Sequence, residues 1–269
     1  MAEDEDDKLA KLYRFRSLSE PFGRSTAEDI ILHNRMFWQS PNNFNDPFDC
    51  NPVFRFGRGR LGRHVYMRSL VRRMMPDAPK HQRKSVTRQL IAEGEVRPRE
   101  RVEQGFHEWM AASGVCCFST DLACPLLWAH YADAHRGVAY EFQELLDPVF
   151  IAFDVIYTPD RPTFEITEAR DDANFKHAIL TKASVWEYEC ERRMLDYRGG
   201  PGMKAFPAAA LTGVVLGARI ADEDREFVMG LVAARDGELQ VRQAVMSDRH
   251  FALDFIKHAF SSRPEVIVS

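Results

Sequence analysis

At 269 residues the chain has room for a sizeable core, in one large domain or two small ones. Its composition, 45% hydrophobic, 28% charged and 11% aromatic, is that of a globular protein, and no apolar run approaches the ~20 residues that a membrane-spanning helix requires. The net charge of −4 conceals a local excess, because residues 55–101 hold fourteen Lys or Arg against four Asp or Glu.

In chain order, residues 1–11 (MAEDEDDKLAK) are acidic and lack the basic-then-apolar order of a secretory signal. They are expected to be a disordered lead, and the protein to be cytoplasmic. Residues 12–18 (LYRFRSL) alternate and read as a strand, with Arg14 and Arg16 on one face and Tyr13 and Phe15 on the other. Ser25 and Glu28 resemble a capping box opening a helix through His33, and residues 35–39 (RMFWQ) read as a second strand. Residues 40–52, rich in Asn, Asp and Pro, form a shaped loop. Residues 61–76 and 80–112 read as helices of a basic insert spanning 57–112. Strands follow at 114–119 (GVCCFS), 137–142 (GVAYEF) and 150–157 (FIAFDVIY), with a helix at 125–132 between the first two. A helix is expected over 171–182 and a strand over 186–195 (WEYECERRML). Period-two alternation in that strand puts Glu187, Glu189, Glu191 and Arg193 on one face, a row that must face water, pair with Arg or bind something. Glycines at 199–202 mark a turn, after which 211–220 reads as a buried strand, 222–235 as a helix and 239–247 as a late strand. This mixed order without a βαβ repeat predicts an α+β fold on antiparallel or mixed sheets, with residues 12–269 as a single domain.

Five cysteines, without paired CxxC spacing, give no zinc signature; Cys116 and Cys117 are expected to be small buried hydrophobes. No phosphate-binding glycine loop is present. The basic stretch suits nucleic acid or another polyanion, or else a solvated insert whose Arg residues pair with acids of the same protein.

The ordered segments LYRFRSL, FNDPFDC, CFS, WAHYADAHRGVAYEF, WEYECER and VVLGARI resemble a widespread bacterial family known only as a domain of unknown function. Within that resemblance, the order of Arg, then Ser, then ExE is similar to the arginine, serine and glutamate triad of ADP-ribosyltransferases. The resemblance implies mixed or antiparallel sheets around a central cleft, with NAD as substrate and no metal. It implies that Arg16, with Arg14 beside it, holds the dinucleotide, that Ser119 supports the ribose, and that Glu191, with Glu189 as the upstream acid, serves the chemistry. Trp128, Tyr131, His130, Asn45 and Asp46 are further candidates for lining the dinucleotide site, Trp128 or Tyr131 by stacking on nicotinamide. The serine motif departs from the family's, reading Phe118, Ser119, Thr120.

The function expected on this basis is transfer of ADP-ribose to a macromolecule, including nucleic acid docked by the basic insert, or to water, as in a toxin or phage-defence effector. Two alternatives stand beside it. One is a metal-dependent nuclease using Asp46, Asp49, Glu189, Glu191 and His130. The other is a binding module in which the Arg and Glu rows form a buried ion-pair network, recognisable by Arg16 paired to Glu191 without a cavity beside them.

Overall fold

A computed structural model of the chain describes residues 11–19, 22–56, 60–92, 94, 96–144, 151–166 and 172–257. The expected acidic lead lies outside these residues, except Lys11, which opens the first strand. The architecture is α+β, built on one large mixed sheet. Its strands are β1 (Lys11–Arg16), β4 (Gly114–Ser119), β5 (Val138–Gln143), β6 (Phe153–Asp154), β10 (Glu191–Asp196), β12 (Leu211–Leu216), β13 (Gln240–Met246) and β14 (Leu253–Lys257), in the order β14-β13-β12-β5-β1-β4-β10-β6. Every neighbouring pair is antiparallel except β12 with β13. Three two-stranded ribbons flank the sheet. They join β2 (Arg35–Trp38) to β11 (Gly202–Ala205), β3 (Val53–Arg55) to β8 (Thr163–Glu165), and β7 (Ile156–Thr158) to β9 (Thr181–Ala183).

Alternation along the strands decides which helix covers which face. Leu12, Tyr140, Phe142, Val214 and Leu216 pack beneath α1 (Gly23–Ile31) and α7 (Asp222–Ala234), through Ile30, Ile31, Val228 and Leu231. On the other face Tyr13, Phe15, Ala139 and Val215 meet Leu127 and Trp128 of α5 (Pro125–Tyr131). A third apolar cluster joins β3 and β8 to α4 (Val96–Ala111) and α6 (Asp172–Ile179), around Phe54, Phe106, Phe164 and Ile179. The remaining helices, α2 (Arg60–Met74) and α3 (Lys80–Ala92), precede α4 in the insert between β3 and β4. No helix among the described residues is long and apolar enough to cross a membrane.

Several elements differ from expectation for local reasons. Residues 186–195 are not one strand. Ser184–Glu189 is a 3-10 helix, Cys190 turns the chain in the left-handed region at φ 43°, and β10 starts at Glu191. The glutamates therefore do not form a single strand face; only Glu191 and Arg193 keep the period-two relation. The helix expected over 80–112 is two helices, with Gly94 at φ 88° in the break. Of the strand expected over 150–157, residue 150 lies outside the described residues and 151–157 hold β6 and β7, which pair with different partners, and the helix expected to run to Lys182 stops at Ile179, so that Lys182 lies in β9. Helix α1 begins two residues before Ser25, whose hydroxyl donates to the Phe22 carbonyl at 3.1 Å, so no capping box forms.

Candidate active site

Strands β1 and β4 share one registered pair, Tyr13 with Ser119, and part beyond it. The rest of β1 stays on β5, while Val115 of β4 exchanges backbone hydrogen bonds with Gln39 just after β2. The separation opens a cleft of about 1020 Å³. Alternation would put Arg14 and Arg16 on the opposite face of the sheet from Ser119 and Glu191, which lie in register with Tyr13 and each other. Because the cleft cuts into the sheet where β1 and β4 diverge, all four side chains line it.

One wall is an ion cluster. The carboxylates of Asp49, Glu189 and Glu191 and the cations Lys182 and Arg193 are all buried, leaving one negative charge in surplus. Arg193 forks onto two acids at once. Its Nε and Nη2 donate to Glu191 Oε1 and Oε2 at 2.8 and 3.0 Å, and its Nη1 and Nη2 to Asp49 Oδ1 and Oδ2 at 2.9 and 2.7 Å. Lys182 Nζ bridges the glutamates, bonding Glu189 Oε2 and, at 2.9 Å, Glu191 Oε2, with Asp49 Oδ2 at 3.8 Å. Burial alone would push the Glu191 carboxyl up, but Arg193 and then Lys182 outweigh it and hold its pKa at about 2. Burial likewise works against the Lys182 charge, and Glu191, Glu189 and Asp49 overcome it, raising the pKa above that of a free lysine. Tyr131 donates to Glu189 Oε1 at 2.7 Å, its hydroxyl kept protonated by burial and by that carboxylate. The Tyr157 hydroxyl accepts the Glu191 backbone N–H at 2.7 Å.

The opposite wall is cationic. Arg14 is buried. It donates to the Phe37 carbonyl at 2.7 Å and touches the sulfurs of Met36 and Cys116, and its Nε has no partner among the described residues. Arg16, half-buried, donates only to the Phe15 carbonyl at 3.0 Å among the described residues. Neither guanidinium has a carboxylate within ion-pair distance there, and burial together with Arg14 lowers the Arg16 pKa to about 10. Two adjacent cations without a counter-charge make a site whose electrostatics favour an anion.

Comparison with protein-family models, curated proteins and solved structures gave no match.

Of the residues singled out from sequence, Arg14, Arg16, Asn45, Ser119, His130, Tyr131, Glu189 and Glu191 line the cleft. Ser119 is occupied locally, since its Oγ accepts the Asp121 N–H at 2.9 Å and shapes the turn after β4. His130 is exposed at the cleft, not sealed inside. Two candidates lie elsewhere. Trp128 is fully buried, its indole N–H held by the Leu122 carbonyl at 2.8 Å and its ring set edge-on to Phe15, so it cannot stack on a ligand. Asp46 accepts the Phe48 N–H at 2.9 Å and the Trp186 indole N–H at 2.7 Å, acting as the anchor of Trp186. Trp186 itself lines the cleft, with Lys182 Nζ 5.3 Å from its ring centroid, and supplies the aromatic surface assigned to Trp128.

Sequence reasoning missed Lys182 and Trp186, and gave Arg193 no role of its own. Lys182 sat at the expected end of a helix and Trp186 at the start of an expected strand; the only signal for Arg193 was its position two residues after Glu191. The adjacent cysteines also divide. Cys116 is fully buried, whereas Cys117 reaches the cleft beside Glu191, where burial and that carboxylate push its thiol well up and disfavour a thiolate nucleophile. The conspicuous block after Trp128 forms a corner. Asp133, Ala134 and His135 all have positive φ, and a Cβ on Gly137 would stand 2.1 Å from the Arg16 carbonyl oxygen, so this corner abuts the strand end that carries Arg16.

Proposed function

We propose that the protein is an ADP-ribosyltransferase-type enzyme, cleaving the bond between nicotinamide and ribose in NAD and passing ADP-ribose to a macromolecular acceptor or to water. The observation that carries the reading is the polarity of the cleft, with Arg14 and Arg16, which have no carboxylate within ion-pair distance among the described residues, on one side and the surplus-negative Asp49, Glu189 and Glu191 cluster on the other. Ser119 lies between them, in register with both Tyr13 and Glu191, and β1 and β10 are two strand spacings apart, ~10 Å. At about 1020 Å³ the cleft stands at the upper end of ligand sites, which run from roughly 300 to 1,000 Å³, and has room for a dinucleotide.

Planar, forked guanidinium groups at Arg14 and Arg16 suit a pyrophosphate. Bound there, NAD supplies an electrophilic ribose carbon: its bond to nicotinamide breaks, the base leaves with the bonding pair, and an acceptor lone pair makes the new bond. Positive charge grows on the sugar as that bond weakens, and Glu191, held ionised by Arg193 and Lys182, is a fixed carboxylate beside it. Oε1 of Glu191 has one strong donor, Arg193 Nε, which leaves a lone pair for a ribose hydroxyl. Glu189, oriented by Tyr131 and Lys182, is the second carboxylate, placed to take the acceptor's proton. Trp186 offers the stacking surface.

The geometry favours neither alternative. Asp49, Glu189 and Glu191 converge on the Lys182 ammonium and Arg193, which take the position a divalent cation would need, and Asp46 is turned toward Trp186. Arg16 does not pair with Glu191, and a cavity adjoins the ion cluster, which is not the pattern of a purely structural network.

Liquid chromatography with mass spectrometry of protein incubated with NAD tests the proposal. Free nicotinamide is expected from the wild type, unaffected by EDTA and reduced at least a hundredfold in Glu191→Gln, the loss of one electrostatic stabiliser being worth about that factor. Release at equal rates from wild type and E191Q, or chelator-sensitive cleavage of nucleic acid without nicotinamide release, would reject it.

A further inference from the structure

Helices α2 and α3 together contain no Asp or Glu. Residues 75–79 fold α3 back onto α2, and the pair is anchored inward by Met67, Val71 and Thr87. Outward stand Arg68, Arg72 and Arg73 from α2 and Lys80, Lys84 and Arg88 from α3, all exposed. None of the six has an ion pair among the described residues, whereas Arg99 on α4 pairs with Glu103 at 3.8 Å. Among the described residues, therefore, no acid lies within ion-pair distance of these six cations.

We infer that the outward face of the α2 and α3 hairpin is a docking surface for the phosphate backbone of nucleic acid, bound without regard to base sequence. Lys80, Lys84 and Arg88 recur every four residues, so they lie on one line with ~6 Å between successive positions. That line of ~12 Å is of the scale on which a duplex presents several phosphates, one per strand for about every 3.4 Å of axis. Beside the cations are small polar donors, Ser69 and Ser85, suited to phosphate oxygens. A membrane surface fits less well, because an interfacial helix needs a continuous apolar face and, among the described residues, the exposed large apolar side chains of the hairpin are the isolated Val65 and Met74. The inference is independent of the chemistry proposed for the cleft.

Fluorescence anisotropy with a short labelled DNA duplex, over a salt series from about 50 to 200 mM, tests it. The triple variant K80Q/K84Q/R88Q, verified as folded by circular dichroism, is expected to bind at least tenfold more weakly at low salt. Its slope of log affinity on log salt should be shallower by about 2.7, or 0.9 for each phosphate that is no longer neutralised. The control R198Q/R249Q/K257Q removes the same charge from surfaces away from the hairpin and is expected to keep the wild-type slope. The inference is overturned by any of three results: absent duplex binding at low salt, equal losses in the two triple variants, or displacement of the duplex by polyglutamate or phosphatidylserine vesicles at equal charge concentration.

Discussion

Arg193 directs all five of its N–H groups at protein acceptors: the carboxylates of Asp49 and Glu191 and the Ile179 carbonyl at 2.6 Å. It thereby ties the loop after β2, the end of α6 and β10 into one unit, and it fixes the charge state of Glu191. Because the Glu191 pKa is depressed in the folded protein, to about 2, its share of stability is complete above the unfolded value near 4.5 and is lost as the pH falls toward 2. Urea midpoints measured from pH 6 down to pH 2 are expected to fall across that window, by an amount on the order of 3 kcal/mol in unfolding free energy from this group. In E191Q the fall should be smaller by about that amount; equal slopes in both proteins would contradict the assignment. At this scale the order of Arg, Ser and ExE along the chain anticipated that Arg14, Arg16, Ser119 and the two glutamates line one cleft, whereas the alternation expected of the glutamates did not hold. Lys182 and Trp186 were not legible, because their roles depend on where neighbouring elements end, a boundary that propensity places poorly.

Among elements, the corner at Cys190 matters most. A continuous strand would have put Glu189 and Glu191 side by side on one face, facing the same repulsion. The 3-10 helix and the left-handed Cys190 instead bring them to Lys182 from two directions, while Thr120 N–H holds the Cys190 carbonyl at 3.0 Å. Left-handed backbone costs a non-glycine residue about 1–2 kcal/mol, most for β-branched side chains. Cys190→Val is therefore expected to lower stability by ~1 kcal/mol or more, and Cys190→Gly to leave it unchanged or raise it slightly, as read by thermal melting; a Val variant as stable as wild type would show that the corner carries no such strain. This corner was invisible in WEYECERRML, where the alternation suggested a strand. The sheet strand at 12–18 was legible by its alternation and those at 114–119, 137–142 and 211–220 by mostly apolar runs, whereas β3, β7, β8 and β9 are three-residue ribbon strands, too short to leave a period.

For the molecule as a whole, the large sheet brings three segments distant in sequence to one opening: β1 with its arginines, β4 with Ser119, and β10 with Glu191. The cleft exists because β1 and β4 diverge after a single pair, a tertiary fact that no local pattern encodes, yet the order of Arg, Ser and ExE along the chain anticipated which side chains line it. The fold thus separates charge across a cavity, with cations that lack a carboxylate partner among the described residues on one wall and excess carboxylate on the other. The basic hairpin lies apart from it in sequence, in the insert between β3 and β4. Isothermal titration calorimetry of NAD into the wild type and into R14Q/R16Q measures that polarity most directly. The account predicts saturable one-to-one binding by the wild type, weakened at least tenfold in the double variant and reproduced, in the wild type, by ADP-ribose. No NAD binding by a folded wild-type protein, or equal binding by the arginine variant, would contradict it.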